Sequence, residues 1–598
     1  MKLKVLFFLG MILFCHSLRS QDYDYPTVTQ NILAFPSAEG FGKYATGGRG
    51  GEVVTVTTLE DDTLNLIPGS LRWAVQQFPD VPLTIVFNVS GHINLKKILT
   101  IRRTTGLTIA GQTAPGEGIS INGHRVNFGF SENVIVRNVR FRVGDVDGAG
   151  RSVVGEQALG AENIKNFIFD HCSLGWSGEE ASTTSDSEFL TLQYCIVHEG
   201  LFRAKHHKGD RSYGICFGGK QATMHHCLLA HNVARVPRFS GAQSGDYVSY
   251  CEYINNVCYN MLNGAHGGEI NVANIKYHTY ECNFVNNYYK PGPASIKSGR
   301  KMIFFNQTVD KPGGAMVIDT PHWYFNGNIM EGNEAMSKDN WKGVTQDDGG
   351  SKYYTLQDMR VDTFIQPQVF YRKMKFDWRA YTLALNDRIE SAENALQTVL
   401  EKAGCIVRDS VERRLIRETR DGTATFGGVK FDNDPYGIID SPSDLDGGIG
   451  YLPYPDYTPR IDTDGDGMPD DWEELKGLDP NNPADRNYVT TEGYTALEVY
   501  LCSLMGEDIE GDFQEPTSVR SLHTVKFDYS VEGDDLIINS DDFLNGIHIF
   551  DMEGCCRLEE QIIGNSYRKN ISFLDSGVYI VWISNKDGYR NAVKIYKE

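Results

Sequence analysis

The chain has 598 residues, 41% of them hydrophobic and 23% charged, and carries a formal net charge of −21 at pH 7. That composition is globular, long enough for two to four domains, and too acidic for nucleic acid or an anionic membrane surface to be an expected partner. By the same token, a polyanionic substrate would have to be met by a local basic patch.

The first twenty residues, MKLKVLFFLGMILFCHSLRS, join a basic head (Lys2, Lys4) to an apolar run from Val5 to Cys15, with small residues at Ser17 and Ser20. The run is short for a bilayer span, so residues 1–20 read as a Sec signal peptide. No later stretch is apolar for long enough to be a membrane-spanning helix. The expectation is an exported protein, secreted or at the cell surface.

Residues 21–336 repeat one pattern, clearest from Asn133 onward. Short β-prone runs such as VIVRNVRFRV, FIFDHCSLGW, LTLQYCIVHE, ATMHHCLLAH and YINNVCYNML carry a polar or cysteine residue near the middle and end in a turn. Spacings of about 20 to 33 residues fall in the range of solenoids, and the enrichment in Val, Ile, Phe and Tyr suits half-buried strands. The pattern predicts a mainly β protein built on a right-handed parallel β-helix. Cys172, Cys195, Cys227, Cys258 and Cys282 recur at similar places and are expected to stack as a ladder of small buried side chains.

Over 337–440 the strand rhythm fades. SAENALQTVLEKAGC reads as an amphipathic helix with Ala395, Leu396, Val399 and Leu400 on one face, so this segment is expected to flank the β-helix. Residues 441–506 begin with a Gly/Pro/Asp-rich linker and contain DTDGDGMPDDWEE. Counted from Asp462, acids fall at positions 1, 3, 5, 9 and 12 (Asp462, Asp464, Asp466, Asp470, Glu473), with Gly467 at 6. That is the spacing of an EF-hand-like Ca²⁺ loop. Residues 507–598 alternate as the strands of a small β-sandwich, among them DDLIINS and GIHIFDM; Cys555 and Cys556 stand together at a loop tip.

One motif stands out against the acidity: Arg235, Val236, Pro237 and Arg238. Taken alone it could be a solvated loop, an anion clamp or a catalytic centre. Five stretches around it, FPSAEGFGKYATGGRGGEVVTVTTL, PGSLRWAV, TIAGQTAPGEGISI, FIFDHCSLGWSGEE and HHCLLAHNVARVPRF, resemble in order the pectate lyases of polysaccharide lyase family 1. The VLEKAGC…RDSVERRLIRETRDGT and calcium-loop segments resemble the tail of secreted bacterial members. The last segment is similar to the C-terminal sorting domain of type IX secretion, which implies outer-membrane secretion machinery as a partner.

The resemblance implies cleavage of 4-linked galacturonan (polygalacturonate or pectin) by β-elimination, assisted by Ca²⁺, in a monomer. Arg235 falls at the position of the family's arginine base. Lys208, in an HHK match to the H-x-K pattern, falls where the substrate carboxylate is bound, and Arg238 is expected to position sugar or carboxylate. The sequence departs from the family in three places. Ser240 replaces a third basic residue, a contact that Arg211 or Lys220 could supply. An expected aspartate falls in GEQALG, leaving Glu156 or Gln157. Glu180 fits the next acidic position, while Thr184 stands at the one after it. Glu180 and Glu156 are therefore the expected active-site metal ligands, and Asp170 and His171 read as ladder residues. Two alternatives stay open: a polygalacturonase-like glycosidase, for which Asp170, Glu179 and Glu180 are the nearest carboxylates, and a non-catalytic glycan-binding β-helix.

Overall fold

The computed structural model describes residues 32–78, 81–101, 106–239, 247–268, 277–308, 317–318, 320–347, 354–365, 389–514, 527–551, 556–585 and 590–597. The expected signal peptide, Ser240 and Cys555 lie outside them. Contacts gather the chain into two compact units, one running to Arg486 and resuming over Thr490–Gly511, the other Asn487–Val489 with Asp512–Glu598. The segment around Asp462, expected to be a calcium loop, thus belongs to the first unit.

That unit is a parallel β-helix. Three parallel sheets of eleven, nine and nine strands run its length, each coil giving one strand to each sheet in turn. Alternation along each first-sheet strand sends every second side chain inward. Parallel register stacks these into columns: Val134, Phe167, Leu190, Ala222, Cys251, Cys282 and Trp323 in one, and Val136, Phe169, Leu192, Met224, Tyr253, Phe284 and Phe325 in the next. The columns are buried and form the core. They dry the interior and fix the register, because a one-residue slip would turn a whole column outward.

The corner from first to second sheet is one residue at positive φ: Asn138, His171, Tyr194, His226, Asn255 and Asn286. Rings at this corner stack, His171 on Tyr194 at 5.0 Å and Tyr194 on His226 at 5.1 Å. The next position carries the expected cysteine ladder, but only Cys172, Cys195 and Cys227 belong to it. Asparagine continues it: the Asn256 N–H donates to Asn287 Oδ1 at 2.8 Å, and the Asn287 N–H to Asn328 Oδ1 at 2.9 Å. Cys258 lies instead in a second-sheet strand and Cys282 beside Cys251 in the first. The substitution has a physical reason: asparagine bonds the backbone of the preceding coil, whereas a thiol mainly fills space.

Among the described residues, two of the three outer faces carry a cover. A strap of residues 32–51 crosses the first sheet, where the Gly42 N–H donates to Thr191 Oγ1 at 2.8 Å and the Glu39 N–H to Gln193 Oε1 at 3.0 Å. Gly42 has no room for a side chain, since a Cβ would lie 2.2 Å from the Phe167 carbonyl oxygen. The second sheet is covered by the helices Ala392–Lys402 and Ser410–Asp421, which pack Val399, Val411 and Leu415 on Ile196, Leu228 and Val257. Buried ion pairs lock the second helix down: Arg140 to Glu412 at 2.7 Å, Arg414 to Glu199 at 2.9 Å, and Arg142 to Asp409.

The second unit is a five-stranded antiparallel sheet around Leu536, Ile538, Ile547, Ile549, Val581 and Ile583. DDLIINS and GIHIFDM are one continuous strand, Asp535–Asp551, whose pairing shifts register between Asn539 and Gly546. A bulge there bends the strand without ending it. Among the described residues no helix is long and apolar enough to cross a membrane.

Candidate active site

Four successive coils build the site, each from the loop between its second-sheet and third-sheet strands. They supply Gln157, then Glu179 and Glu180, then His206, Arg211 and Tyr213, then Arg235. The third-sheet strands that follow pair in parallel, Thr183 with Cys216 and Cys216 with Arg238. Residues more than twenty apart in the chain therefore lie one above another. Close backbone approach holds the stack: the Gly214 N–H donates to the Ala234 carbonyl at 2.9 Å, and the Ile215 N–H to the Arg235 carbonyl at 2.8 Å. A side chain on Gly214 would meet that same Arg235 carbonyl oxygen at 2.3 Å.

Arg235 sits at φ +59°, in the left-handed region, and a cis Val236–Pro237 bond follows it. A non-glycine residue in that region is uncommon and marks a position worth functional attention. Its guanidinium lies over the Tyr213 ring, 4.3 Å from the centroid. Nη1 is bound to Glu180, 3.4 Å from Cys216 Sγ and 3.8 Å from Glu179 Oε1. Burial works against its charge, but Cys216 and Glu180 outweigh it, so the pKa of Arg235 lies above the ordinary arginine value. For Glu180, too, burial opposes the charge and loses: Arg235, the Thr183 hydroxyl at 2.7 Å and the Gln157 amide at 3.0 Å bring its pKa below the usual carboxylate value.

Glu179 is pushed the other way, upward, by burial and by Glu180. It meets His206 Nε2 at 2.7 Å and Arg211 Nε at 3.1 Å. Arg211 is itself nearly buried, and it also donates to the Tyr213 hydroxyl at 3.2 Å and lies 5.1 Å from that ring's centroid. Tyr213 therefore holds two guanidinium groups. Lys208 is exposed in the turn two residues after His206, and its N–H donates to His206 Nδ1 at 3.0 Å. Arg238 begins the third-sheet strand Arg238–Phe239 and is half-buried.

The structure thus brings Arg235, Arg211 and Glu180 together and carries Lys208 on the adjoining loop. It does not bring Glu156 to Glu180: the Glu156 carboxylate takes the His124 ring at 2.9 Å and the Arg125 N–H at 3.0 Å. Gln157 fills that place. Thr184 turns inward, donating to the Gly218 carbonyl at 2.9 Å. Lys220 pairs with Glu188, away from these groups. Asp170 is fully buried, paired with Arg137 at 2.7 Å and His171 at 2.7 Å, as its reading as a ladder residue expects. Reading the sequence missed Glu179 as a partner of Arg211, along with Tyr213, His206 and Cys216. The GEE doublet beside the DHCS strand was the one available signal.

Around Asp462 the loop turns through Gly465 and Gly467, both at positive φ. Asp462, Asp464 and Asp466 converge, and Asp466 also meets Glu473 and Asp485. Burial and mutual repulsion raise Glu473 to about 8 and Asp466 to about 7. Asp470, expected as a ligand, instead accepts from the Thr463 N–H at 2.7 Å and hydroxyl at 2.6 Å. As the first residue of the helix Asp470–Lys476, it closes the turn behind the cluster.

No family model matches the chain. A probable pectate lyase C of Emericella nidulans is 32% identical over 487 residues, covering 80% of this chain and 94% of that protein. A probable pectate lyase C of Aspergillus flavus is 31% identical over 486 residues, covering 80% and 95%. Among solved structures, jun a 1, the major allergen from cedar pollen, aligns at a TM-score of 0.39 and 18% identity, covering 62% of this chain and 93% of that one.

Proposed function

The chain belongs to the pectate lyases, a family of polysaccharide lyases, and from that membership we propose that it cleaves 4-linked galacturonan by β-elimination with Arg235 as the proton-abstracting group. One observation supports the assignment: Arg235 is the residue on which the loops of successive coils converge, set between Tyr213 and the Glu179–Glu180 doublet. In the elimination a base removes the C5 proton, the electron pair becomes the C4–C5 double bond, and the C4–O4 bond breaks as the leaving oxygen takes a proton. No water is consumed. The C5 proton becomes acidic only when the adjoining carboxylate is neutralised, and Arg211, Arg238 and Lys208 are the cations assigned to that task.

Arg235 carries its proton firmly in the free protein because Glu180 holds it. Acting as a base requires that grip to be released. Glu180, Glu179 and the Thr183 hydroxyl form an oxygen set that fits a hard cation, with the Arg235 guanidinium standing in as their cation, while the Gln157 amide donates through Nε2 to Glu180 and Thr183 and aims them. Bound to Glu180, Ca²⁺ would add positive charge against the uronate carboxylate. For the protein's own part, Glu180 shared with another cation attracts Arg235 less, which lowers its proton affinity. Tyr213 keeps the guanidinium plane oriented while this happens. Glu156 has no part in this set.

A polygalacturonase mechanism needs two carboxyl groups flanking the glycosidic bond. Glu179 and Glu180 instead both face one nitrogen of Arg235, Nη1, with Glu180 bound to it and Glu179 at 3.8 Å. We assign export to residues 1–20 and secretion to the C-terminal unit on the sequence alone. Incubation with polygalacturonate, followed by ultraviolet absorbance of 4,5-unsaturated uronides, tests the reading. A lyase makes the chromophore, whereas a hydrolase makes reducing ends without it and a binding protein makes neither.

A further inference from the structure

We infer that Asp462, Asp464, Asp466, Glu473 and Asp485 form a structural Ca²⁺ site, remote from the lyase chemistry, in which Asp485 from outside the twelve-residue loop takes the place that the loop's own Asp470 would have filled. Asp466 is shared by two groups of three carboxylates, one with Asp462 and Asp464 and one with Glu473 and Asp485, whose oxygens lie within 4.8 Å of one another in each group. The decisive observation is what their oxygens lack. Both carboxylate oxygens of Glu473 are buried without a hydrogen-bond partner, as are Asp464 Oδ2, Asp466 Oδ2 and Asp485 Oδ1. Glu473 is 0% exposed, and Asp466 and Asp485 1% each. Unpaired buried carboxylates are among the costliest groups a fold can contain, and five such oxygens gathered around Asp466 demand a cation.

The remaining oxygens are used to aim these five. The Gly465 and Gly467 N–H groups donate to Asp462 at 2.8 and 3.1 Å, the Met468 N–H to Asp466 Oδ1 at 2.9 Å, and the Asp479 N–H to Asp485 Oδ2 at 2.9 Å. The charge of Arg486 acts on Asp464, but its terminal nitrogens reach Glu52 at 3.1 Å and the Pro483 carbonyl rather than the cluster. Five carboxylates with a free bidentate pair on Glu473 match the six to eight oxygens of Ca²⁺ and exceed what octahedral, water-retaining Mg²⁺ takes.

The site's position indicates its role. Gly467 packs on the outer face of the first coils: a Cβ there would lie 2.9 Å from Val53 and 3.4 Å from Val86. Arg486, the residue after Asp485, pairs with Glu52, at the start of the outermost first-sheet strand. An ion joining Asp485 to the loop would therefore pin both sides of this segment onto the open end of the β-helix.

The test is calorimetric titration of EDTA-stripped full-length protein with Ca²⁺, in the parent and in Glu180→Gln, so that any ion at the lyase site is counted separately. One tight site should appear in both. Asp485→Asn and Glu473→Gln should each weaken it at least tenfold, and Asp470→Asn less than threefold. The inference is overturned if the stripped protein takes up no Ca²⁺ in the micromolar range, or if Asp470→Asn weakens binding while Asp485→Asn does not. Should Asp485→Asn misfold, rescue by excess Ca²⁺ supports ligation. Failure of rescue overturns it in favour of a purely structural bond to Asp479.

Discussion

Replacing Arg235 by lysine keeps the charge and removes the planar fork. The guanidinium now touches Glu180, lies 4.3 Å from the Tyr213 centroid and passes 3.4 Å from Cys216 Sγ; an ammonium cannot hold all three positions at once. A positioned proton-transfer group contributes about 10²- to 10⁴-fold to turnover, so Arg235→Lys should lose at least about 100-fold in kcat, close to 3 kcal/mol of activation energy. Proton affinity alone argues the opposite way. Lysine's ordinary pKa is lower than arginine's by at least about two units, which would enrich the neutral form and favour lysine as a base. The experiment therefore sets geometry against basicity. Initial rates of unsaturated uronide formation from polygalacturonate give kcat and KM, and thermal unfolding checks the fold. The Arg235 side chain is only 15% exposed, but lysine keeps a positive charge beside Glu180 and so does not leave a buried carboxylate unpaired; the melting temperature should move by no more than a few degrees. A folded Arg235→Lys protein with kcat within tenfold of the parent would refute the assignment.

Lys208→Ala should raise KM and lower kcat while leaving the melting temperature unchanged, because the side chain is exposed; a large drop in melting temperature would make Lys208 structural. Glu252 is 1% exposed, and burial lifts its pKa to about 7 despite hydrogen bonds from Thr223 at 2.9 Å and Tyr250 at 3.3 Å and the charge of Lys43. The folded state thus keeps a proton that the unfolded state sheds near 4.5, and Glu252 withdraws stability as pH rises from there through about 7, on the order of 3 kcal/mol in all. Glu252→Gln should match the parent at pH 4 and exceed it at pH 8 in urea unfolding; a difference that does not depend on pH would refute this. Gly42→Ala should cost about 1–3 kcal/mol, since its Cβ would meet the Phe167 carbonyl oxygen at 2.2 Å. Unchanged protection of the strap amides in hydrogen exchange would show that the strap yields without strain.

The coil was legible because its cause is local. Alternation and turn residues repeat within each run, and the helix Ala392–Lys402 emerged where amphipathic spacing placed it. Arg235 was legible through its motif. Its partners were not, because parallel stacking makes neighbours of residues a full coil apart, and nothing in a single sequence ties Glu179 to Arg211 or Tyr213 to Arg235. The cysteine ladder was half legible: Asn256 and Asn287 occupy the same corner as Cys172 but share only its small size. In the site inferred above, Asp485 has no signal in the sequence because no spacing rule reaches from the 462–473 loop across the 479–485 turn, and the spacing that expects Asp470 as a ligand takes no account of its bonds from Thr463.

The strap gives the chain an order of assembly. Each coil pairs with the one before it, so the solenoid can grow step by step from any nucleus. The strap cannot take part, since its bonds to Thr191, Gln193 and Thr223 reach across 149 to 182 residues. Closing so long a loop costs about 1.5 kcal/mol more than closing one of about thirty residues, and its acceptors exist only once the central coils are paired. The first-synthesised part of the described chain is then the last to find its place. It acts as a latch, and it can close only on coils already in the correct register.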